Sequence, residues 1–390
     1  MDGLIRFSLT QRLMMLILVL VLIGFGWKAF NDTPIDAFPD VSTTQVKIIL
    51  KAPGMTPEEV ESRITALVEV EMLGIPKQRM LRSVVKYGLT DITVDFEEGT
   101  DIYWARQQVA ERLSAINDTL PADIQGGLAP LTTPLGAMFM FTVNSLTLDL
   151  MQRRELLDWV IRPALRSVEG VADVNSLGGY VKTFEIIPDL AKLAALNISL
   201  ADIQHTLEMN NRNDGAGRID EGEEVLLVRA QGSLQNLDDI KRLVVKSDAN
   251  EPVLLSQVAE CRIGSLTRYG AVSANGQGEA VQGLVLGLRG ANAKKVVAGI
   301  EKRLAELQPS LPDDVTIDVF YNRGELVADA IHGVNKALIE AVVLVLVFLL
   351  LFLGDIRAAI VVALVLPLSA MITFIMMRQF GLSANLMSLG

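Results

Sequence analysis

The chain has 390 residues, 50% of them hydrophobic and 21% charged, with a mean hydropathy of +0.37. That is too apolar for an ordinary water-soluble protein and too charged for a bare membrane bundle, so the pattern calls for membrane spans plus a large aqueous part. Formal net charge is −11 and no long basic run is present, which argues against a nucleic-acid partner; the single cysteine, Cys261, and the two histidines, His205 and His332, exclude an intrachain disulfide, a thiolate cluster and a histidine-rich zinc site.

The first element is an uncharged apolar run, Leu13–Trp27, between Arg12 and Lys28. It is short for a span, but basic side chains at both ends can snorkel to the interfaces, and Trp27 stands where an interfacial aromatic is expected. The following Lys28-Ala29-Phe30-Asn31 contains no A-x-A-like cleavage site, so the run reads as an anchor rather than a signal peptide. Arg6 and Arg12 place the amino terminus in the cytoplasm and Asn31–Lys336 outside.

The outer segment opens in the order β-α-β-β-α. Gln45–Lys51 is a strand ended by Pro53-Gly54. Thr56, Pro57 and Glu59 form the capping signature of a helix whose apolar residues are Val60, Ile64, Leu67 and Val68. Strands at Met80–Lys86 and Thr90–Glu97 meet at Tyr87-Gly88; Asp101–Asp118 is an amphipathic helix with Ile102, Ala105, Val109, Leu113 and Ile116 on one face. Met138–Val143 is the next strand. This is the order of a ferredoxin-like split βαβ unit.

A second such unit follows: a helix at Leu148–Val168, strands at Val171–Ser176 and Val181–Ile187 around Gly178-Gly179, a strand at Ala280–Leu288, a helix at Asn292–Leu307 and a strand at Val315–Tyr321. Asp189–Arg268 reads as an insertion. The two units share a letter-by-letter repeat. Arg112-Leu113 and Leu120-Pro121-Ala122-Asp123-Ile124 answer to Arg303-Leu304 and Leu311-Pro312-Asp313-Asp314-Val315, each 191 residues further on. Either one α/β unit was duplicated or two helices stop by the same chemistry.

Ala337–Leu353 then carries one charge, Glu340, and Ala358–Met377 carries none; Gly354-Asp355-Ile356-Arg357 joins them. As helices they measure about 26 and 30 Å, close to a bilayer core. Pro367 interrupts the second, which membrane helices tolerate when neighbours compensate. An ionisable residue inside a span is a functional candidate, but Glu340 follows Lys336 by four residues, the spacing of a local ion pair.

The chain resembles the amino-terminal part of an inner-membrane pump subunit of the resistance–nodulation–division (RND) superfamily, heavy-metal efflux branch, cobalt–zinc–cadmium (CzcA-like) type. The residues that carry the likeness are Thr33-Pro34-Ile35-Asp36-Ala37-Phe38-Pro39-Asp40, Tyr87-Gly88, Gly99-Thr100-Asp101, Asp158-Trp159-Val160 with Arg162-Pro163, Gly178-Gly179, Asn210-Asn211 with Gly215-Ala216-Gly217, Phe352-Leu353-Gly354-Asp355-Ile356-Arg357-Ala358-Ala359 and Ser383-Ala384-Asn385-Leu386-Met387-Ser388-Leu389-Gly390. They run from end to end of the chain.

The resemblance implies an α+β membrane protein with three complete transmembrane helices and a periplasmic region of two ferredoxin-like (βαββαβ) porter subdomains with an inserted docking subdomain. The expected division is 1–30 for the tail and first span, 31–134 for the first porter subdomain, and 135–188 with 271–336 for the second. The docking subdomain then takes 189–270, the second and third spans 337–353 and 358–377, and the start of an incomplete fourth helix 380–390. The resemblance further implies a homotrimer in the bacterial inner membrane, embedded in the lipid bilayer. Its implied partners are a periplasmic adaptor (membrane fusion) protein and an outer-membrane channel. It implies no cofactor, and a secondary transporter (a proton antiporter) rather than an enzyme. The family's proton-carrying aspartate lies past Gly390, so no proton relay is expected within the chain, and residues 1–390 are expected not to pump alone.

Four residues are candidate metal ligands. Asp173, on the strand where family members often carry a carboxylate, suits Zn²⁺ or Co²⁺. Met138 and Met140 share one strand face, and Met387 lies where the copper–silver members have a methionine; thioethers suit Cu(I) or Ag(I) but equally pack a core. Zinc-type members tend to have Gly-Glu where this chain has Gly136-Ala137. The reading is therefore efflux of heavy-metal cations, Zn/Co/Cd first and Cu/Ag second. Export of organic compounds by a multidrug-type relative is one alternative, and a membrane receptor with a periplasmic sensing domain is another. No G-x-S-x-G, H-E-x-x-H or P-loop pattern supports an enzyme.

Overall fold

A computed structural model describes residues 10–32, 35–36, 42–221, 224–247, 252–354, 356–380 and 384–385. The chain divides into two compact units: one of residues 1–143, 159–176 and 282–390, the other of residues 144–158 and 177–281.

The first unit holds two four-stranded sheets. In one, the strands run in the order Gln78–Lys86, Leu89–Phe96, Gln45–Lys51, Gln125–Leu128, each antiparallel to its neighbour. Val46, Ile48 and Leu50 alternate into the core, as a half-buried strand requires. Against them pack Val60, Ile64, Val68 and Met72 from one helix and Ala105 and Val109 from the next. Burying each large apolar side chain stabilises the fold by roughly 1.5–3 kcal/mol.

The expected cap forms: the Thr56 hydroxyl accepts from the Glu59 N–H, and the Glu59 carboxylate accepts from the Thr56 N–H. One expected core residue differs, since Leu67 is 42% exposed. The four buried residues recur strictly every four positions, and on an α-helix that spacing drifts by about 40° per step. A π-helical turn at Glu61–Thr65 widens the helix, absorbs the drift and leaves Leu67 outside.

The second sheet runs Thr316–Asn322, Ala137–Asn144, Val281–Gly287, Val171–Gly178. Counted within each sheet, both have the strand order fourth-first-third-second. The repeat seen in the sequence is structural down to its caps. Asp101 and Asn292 each cap a helix by accepting from the N–H three residues on. The helices end in 3₁₀ turns at Asn117–Thr119 and Gln308–Ser310, and strands then begin at Gln125 and Thr316. Every one of these points is separated by the same 191 residues.

Three helices are long and apolar enough to cross a membrane, with windows Leu13–Phe30, Arg323–Phe352 and Ala359–Gln379. The second begins well before the expected Ala337, at Arg323. Asn322 caps it by accepting from the N–H groups of Gly324 and Glu325, and its first turns bury Val327. It stops at Gly354, left-handed at φ 64°, as a helix C-terminus favours. The third is split into Ile356–Ala363 and Val365–Gln379. The ring of Pro367 collides with the carbonyl four residues back, that of Ala363, and the helix breaks there. Helices Arg12–Asp32 and Val365–Gln379 pack closely. A side chain at Gly26 would strike Met371, and Phe30 meets Phe374 edge-on at 4.9 Å. Beyond them Ile35–Asp36 pairs in parallel with Ala384–Asn385, so the chain leaves the first and third spans in one direction on one side.

The second compact unit is built on Lys182–Pro188 paired antiparallel with Ala259–Ser265. The strand expected at Val181–Ile187 thus leaves the sheet of Val171–Gly178. Gly178 and Gly179 have φ of +71° and +67°, and two left-handed residues in succession turn the chain out of its strand. Leu193, Ile198, Ile203, Ile240, Leu243, Leu255 and Val258 form this unit's core. From it extends a two-stranded hairpin, Asn213–Glu221 with Glu224–Gln231.

Candidate functional site

Asp173 does not stand free. Arg162 Nη2 lies 3.3 Å from both carboxylate oxygens, Arg166 Nε lies 3.3 Å from Oδ1, and the Val174 N–H donates to Oδ1 at 2.8 Å. Arg162 and Arg166 stand one turn apart on the helix Arg162–Arg166, so both reach the same acid. The Asp173 side chain is 16% exposed. Three of these contacts fall on Oδ1 and one on Oδ2, and two guanidinium charges oppose the approach of a divalent cation.

Met138 and Met140 stand on the strand Ala137–Asn144, about 6.6 Å apart along it. Met138 is buried, with its thioether over Gly287 of the neighbouring strand; Met140 is half-buried. Met387 lies outside the described residues. Among the described residues no three His, Cys, Asp or Glu side chains converge as a metal site would. Of the three described candidates, Met138 and Met140 share one strand, and Asp173 stands on Val171–Gly178, two places away in the same sheet.

Glu340 shares one face of the helix Arg323–Leu353 with His332, Lys336 and Ile339, which line a depression of about 350 Å³. The expected pair with Lys336 does not form: among the described residues the two groups stay beyond ion-pair distance.

Several residues that carried the resemblance serve as caps or hydrogen-bonded joints. Asp101 caps a helix, and the Thr100 carbonyl accepts from the Thr44 hydroxyl. Arg154 donates to Asp158 at 2.7 Å and to the Gly178 carbonyl at 2.6 Å. Asn211 accepts from the Leu234 N–H at the root of the hairpin. Arg268 lies over the Tyr180 ring at 3.8 Å and grips Glu279 with two nitrogens. The hydrogen bonds from Arg268 hold the Glu279 carboxyl below the usual carboxylate range, and Glu279 in turn raises the Arg268 guanidinium. Burial raises the Cys261 thiol, which makes it a core residue rather than a reactive one.

Sequence reasoning missed Arg323. This residue is 4% exposed, and its Nη1 donates to the carbonyls of Leu135 and Ala137. A charge just ahead of an apolar helix was the available signal.

A family model described as AcrB/AcrD/AcrF matches residues 4–390. The chain belongs to this family. It is 42% identical over its whole length to protein HelA of Legionella pneumophila, covering 38% of that protein. It is 39% identical to the cobalt-zinc-cadmium resistance protein CzcA of Cupriavidus metallidurans and 37% identical to the cation efflux system protein CusA of Escherichia coli K12, in each case covering 100% of this chain and 37% of the relative. A crystal structure of a heavy metal efflux pump superposes with a TM-score of 0.88 at 36% identity, over 98% of this chain and 38% of that one. The chain thus spans well under half the length of the AcrB/AcrD/AcrF relatives it matches, and its sheets, inserted unit and three apolar helices have their counterpart in a metal pump.

Proposed function

We propose that this chain is the amino-terminal part of the inner-membrane subunit of a tripartite pump that exports heavy-metal cations, driven by protons. The observation that carries the reading is the end-to-end match to relatives named for cobalt-zinc-cadmium resistance and for cation efflux, together with the fold of a solved heavy metal efflux pump. In this reading the two repeated sheets are porter subdomains, the inserted unit with its hairpin is the docking subdomain, and the pump is a trimer meeting a periplasmic adaptor and an outer-membrane channel. The parallel bridge between Ile35–Asp36 and Ala384–Asn385 fits both segments lying on one side of the membrane, and Arg6 and Arg12 favour the amino terminus inside, with residues 31–336 in the periplasm. The substrate is a divalent cation of the Zn/Co/Cd type, with Cu/Ag second. Asp173 serves it only in a state of the pump that frees the carboxylate from Arg162 and Arg166, and the buried Met138 serves packing first.

The test is metal tolerance of cells that lack their own pump and receive the full-length protein. Resistance to zinc, cobalt or cadmium is expected. Resistance gained only to dyes or antibiotics overturns the reading in favour of an organic substrate.

A further inference from the structure

Strands and helices of the first compact unit are joined by the segment 129–136, rich in Pro and Thr, which composition would class as a flexible linker. The structure holds it along its length. The Ala129 N–H donates to the Lys47 carbonyl at 2.8 Å, and Arg106 donates to the Ala129 carbonyl at 2.6 Å. The Arg289 N–H reaches the Leu131 carbonyl at 3.2 Å, while its guanidinium binds the carbonyls of Ser42 and Thr43 at 2.8 and 3.3 Å. The Gly287 N–H donates to the Gly136 carbonyl at 2.8 Å. Arg323 completes the series at Leu135 and Ala137.

Two guanidinium groups, of Arg106 and Arg323, thus donate to carbonyls of this segment and its junction with the strand, while Arg289 reaches it through its main chain. A guanidinium is a rigid plane of five donors, and the turn closed by the Gly136 N–H on the Thr133 carbonyl brings the Leu135 and Ala137 carbonyls within reach of one nitrogen of Arg323. Burying a guanidinium carries a desolvation penalty that an apolar side chain of similar size would avoid. What the arginine provides and an apolar residue cannot is directional attachment to main chain.

The other side of that attachment is equally fixed. Asn322 caps the helix and donates to Glu301 at 2.9 Å, and a side chain at Gly324 would come within 3.0 Å of Val297. From Arg323 the helix continues unbroken to Leu353, about 46 Å at 1.5 Å per residue. The strand it grips, Ala137–Asn144, is an inner strand of its sheet and carries Met138 and Met140.

We propose that Arg323 is a positioning residue: beside the sheet pairing of Thr316–Asn322 with Ala137–Asn144, it pins the start of the membrane helix Arg323–Leu353 to the head of that strand, so that displacement of the helix reaches the strand without slack. This rests on the transport reading given above. Arg323 touches no substrate in this role; it acts through the carbonyls of Leu135 and Ala137.

The experiment uses the full-length protein, freed of other cysteines, with Arg323→Cys and Leu135→Cys. Leu135 takes part through its carbonyl, and its side chain is 49% exposed, so the exchange there is mild. Metal transport by reconstituted trimers is expected to fall about tenfold or more in turnover with KM nearly unchanged. Bridging the two thiols with a short bis-methanethiosulfonate is expected to restore it, and reduction to abolish it again. Parental turnover before bridging, or a folded bridged trimer that stays slow, overturns the proposal. Should the double variant not fold, Arg323→Lys decides: a lower turnover at unchanged KM supports the joint, and parental turnover refutes it. A parent that moves no metal defeats the transport reading instead. The joint is then read alone, from the spin-label distance between Leu135→Cys and Lys336→Cys, which should be narrow with Arg323 and broad with Arg323→Gln; equal widths refute it.

Discussion

The two four-stranded sheets share strand order, helix caps, 3₁₀ turns and a constant spacing of 191 residues, yet they are used differently. The first closes on itself: its four strands follow one another with only its own helices between them. The second is opened twice. After Val171–Gly178 the chain leaves to build the inserted unit, and after Thr316–Asn322 it runs straight into a membrane helix. A repeated fold keeps its stop and start signals where hydrogen bonds must be satisfied, and acquires new attachments at strand ends, where the chain is already at a surface.

The comparison breaks first at the cores. Ile48→Ala in the first sheet and Phe141→Ala in the second each empty a fully buried site, with an expected loss of about 2–5 kcal/mol. Limited proteolysis would show whether each loss stays in its own sheet. Cleavage appearing in both sheets from either variant would mean that the repeats do not fold as separate units.

The caps give a smaller and sharper test. Asp101→Ala and Asn292→Ala should each cost about 1 kcal/mol, since each removes one side-chain acceptor from a helix start. Denaturant unfolding of the two variants should agree closely. A cost at only one of them would make the 191-residue spacing a coincidence of sequence.

Asp173→Asn should cost about 1 kcal/mol or less, because both arginines remain partly solvated. Its effect on metal transport by the full-length protein should exceed its effect on stability. Transport at the parental rate would remove Asp173 from the substrate path.

The smallest effect concerns pH and the second compact unit. Glu279 has its carboxyl depressed by Arg268, so the stability it contributes is present above the ordinary carboxylate range and is lost as pH falls through the depressed value. Unfolding followed by tryptophan-independent probes, such as hydrogen exchange of Lys182–Pro188, should show extra acid sensitivity that Glu279→Gln abolishes. Identical acid profiles would show that the pair is too exposed to matter.

Local order was legible in the sequence. The three apolar runs, the Thr56 cap, the stop at Gly354 and the repeated Leu-Pro helix ends all depend on residues within a turn of one another, and each formed. The start of the second apolar helix was misplaced because its first turns mix charged and apolar residues and pack against the preceding helix, Ala293–Leu307. The strand at Lys182–Pro188 was assigned to the wrong sheet because a glycine pair redirected it toward a partner over seventy residues away, Ala259–Ser265.

The candidate ligands show the same division. Alternation along a strand put Met138 and Met140 on one face, but it could not show that Gly287 lies across from Met138 or that Asp173 is held by two arginines. By itself the sequence determined which segments are helix, strand and span, since periodicity, caps and hydropathy act over a few residues. Tertiary structure alone decided which carboxylate is neutralised and which arginine is buried on main-chain carbonyls. Those outcomes depend on desolvation and on partners up to 188 residues apart in the chain, as Arg323 and Leu135 are.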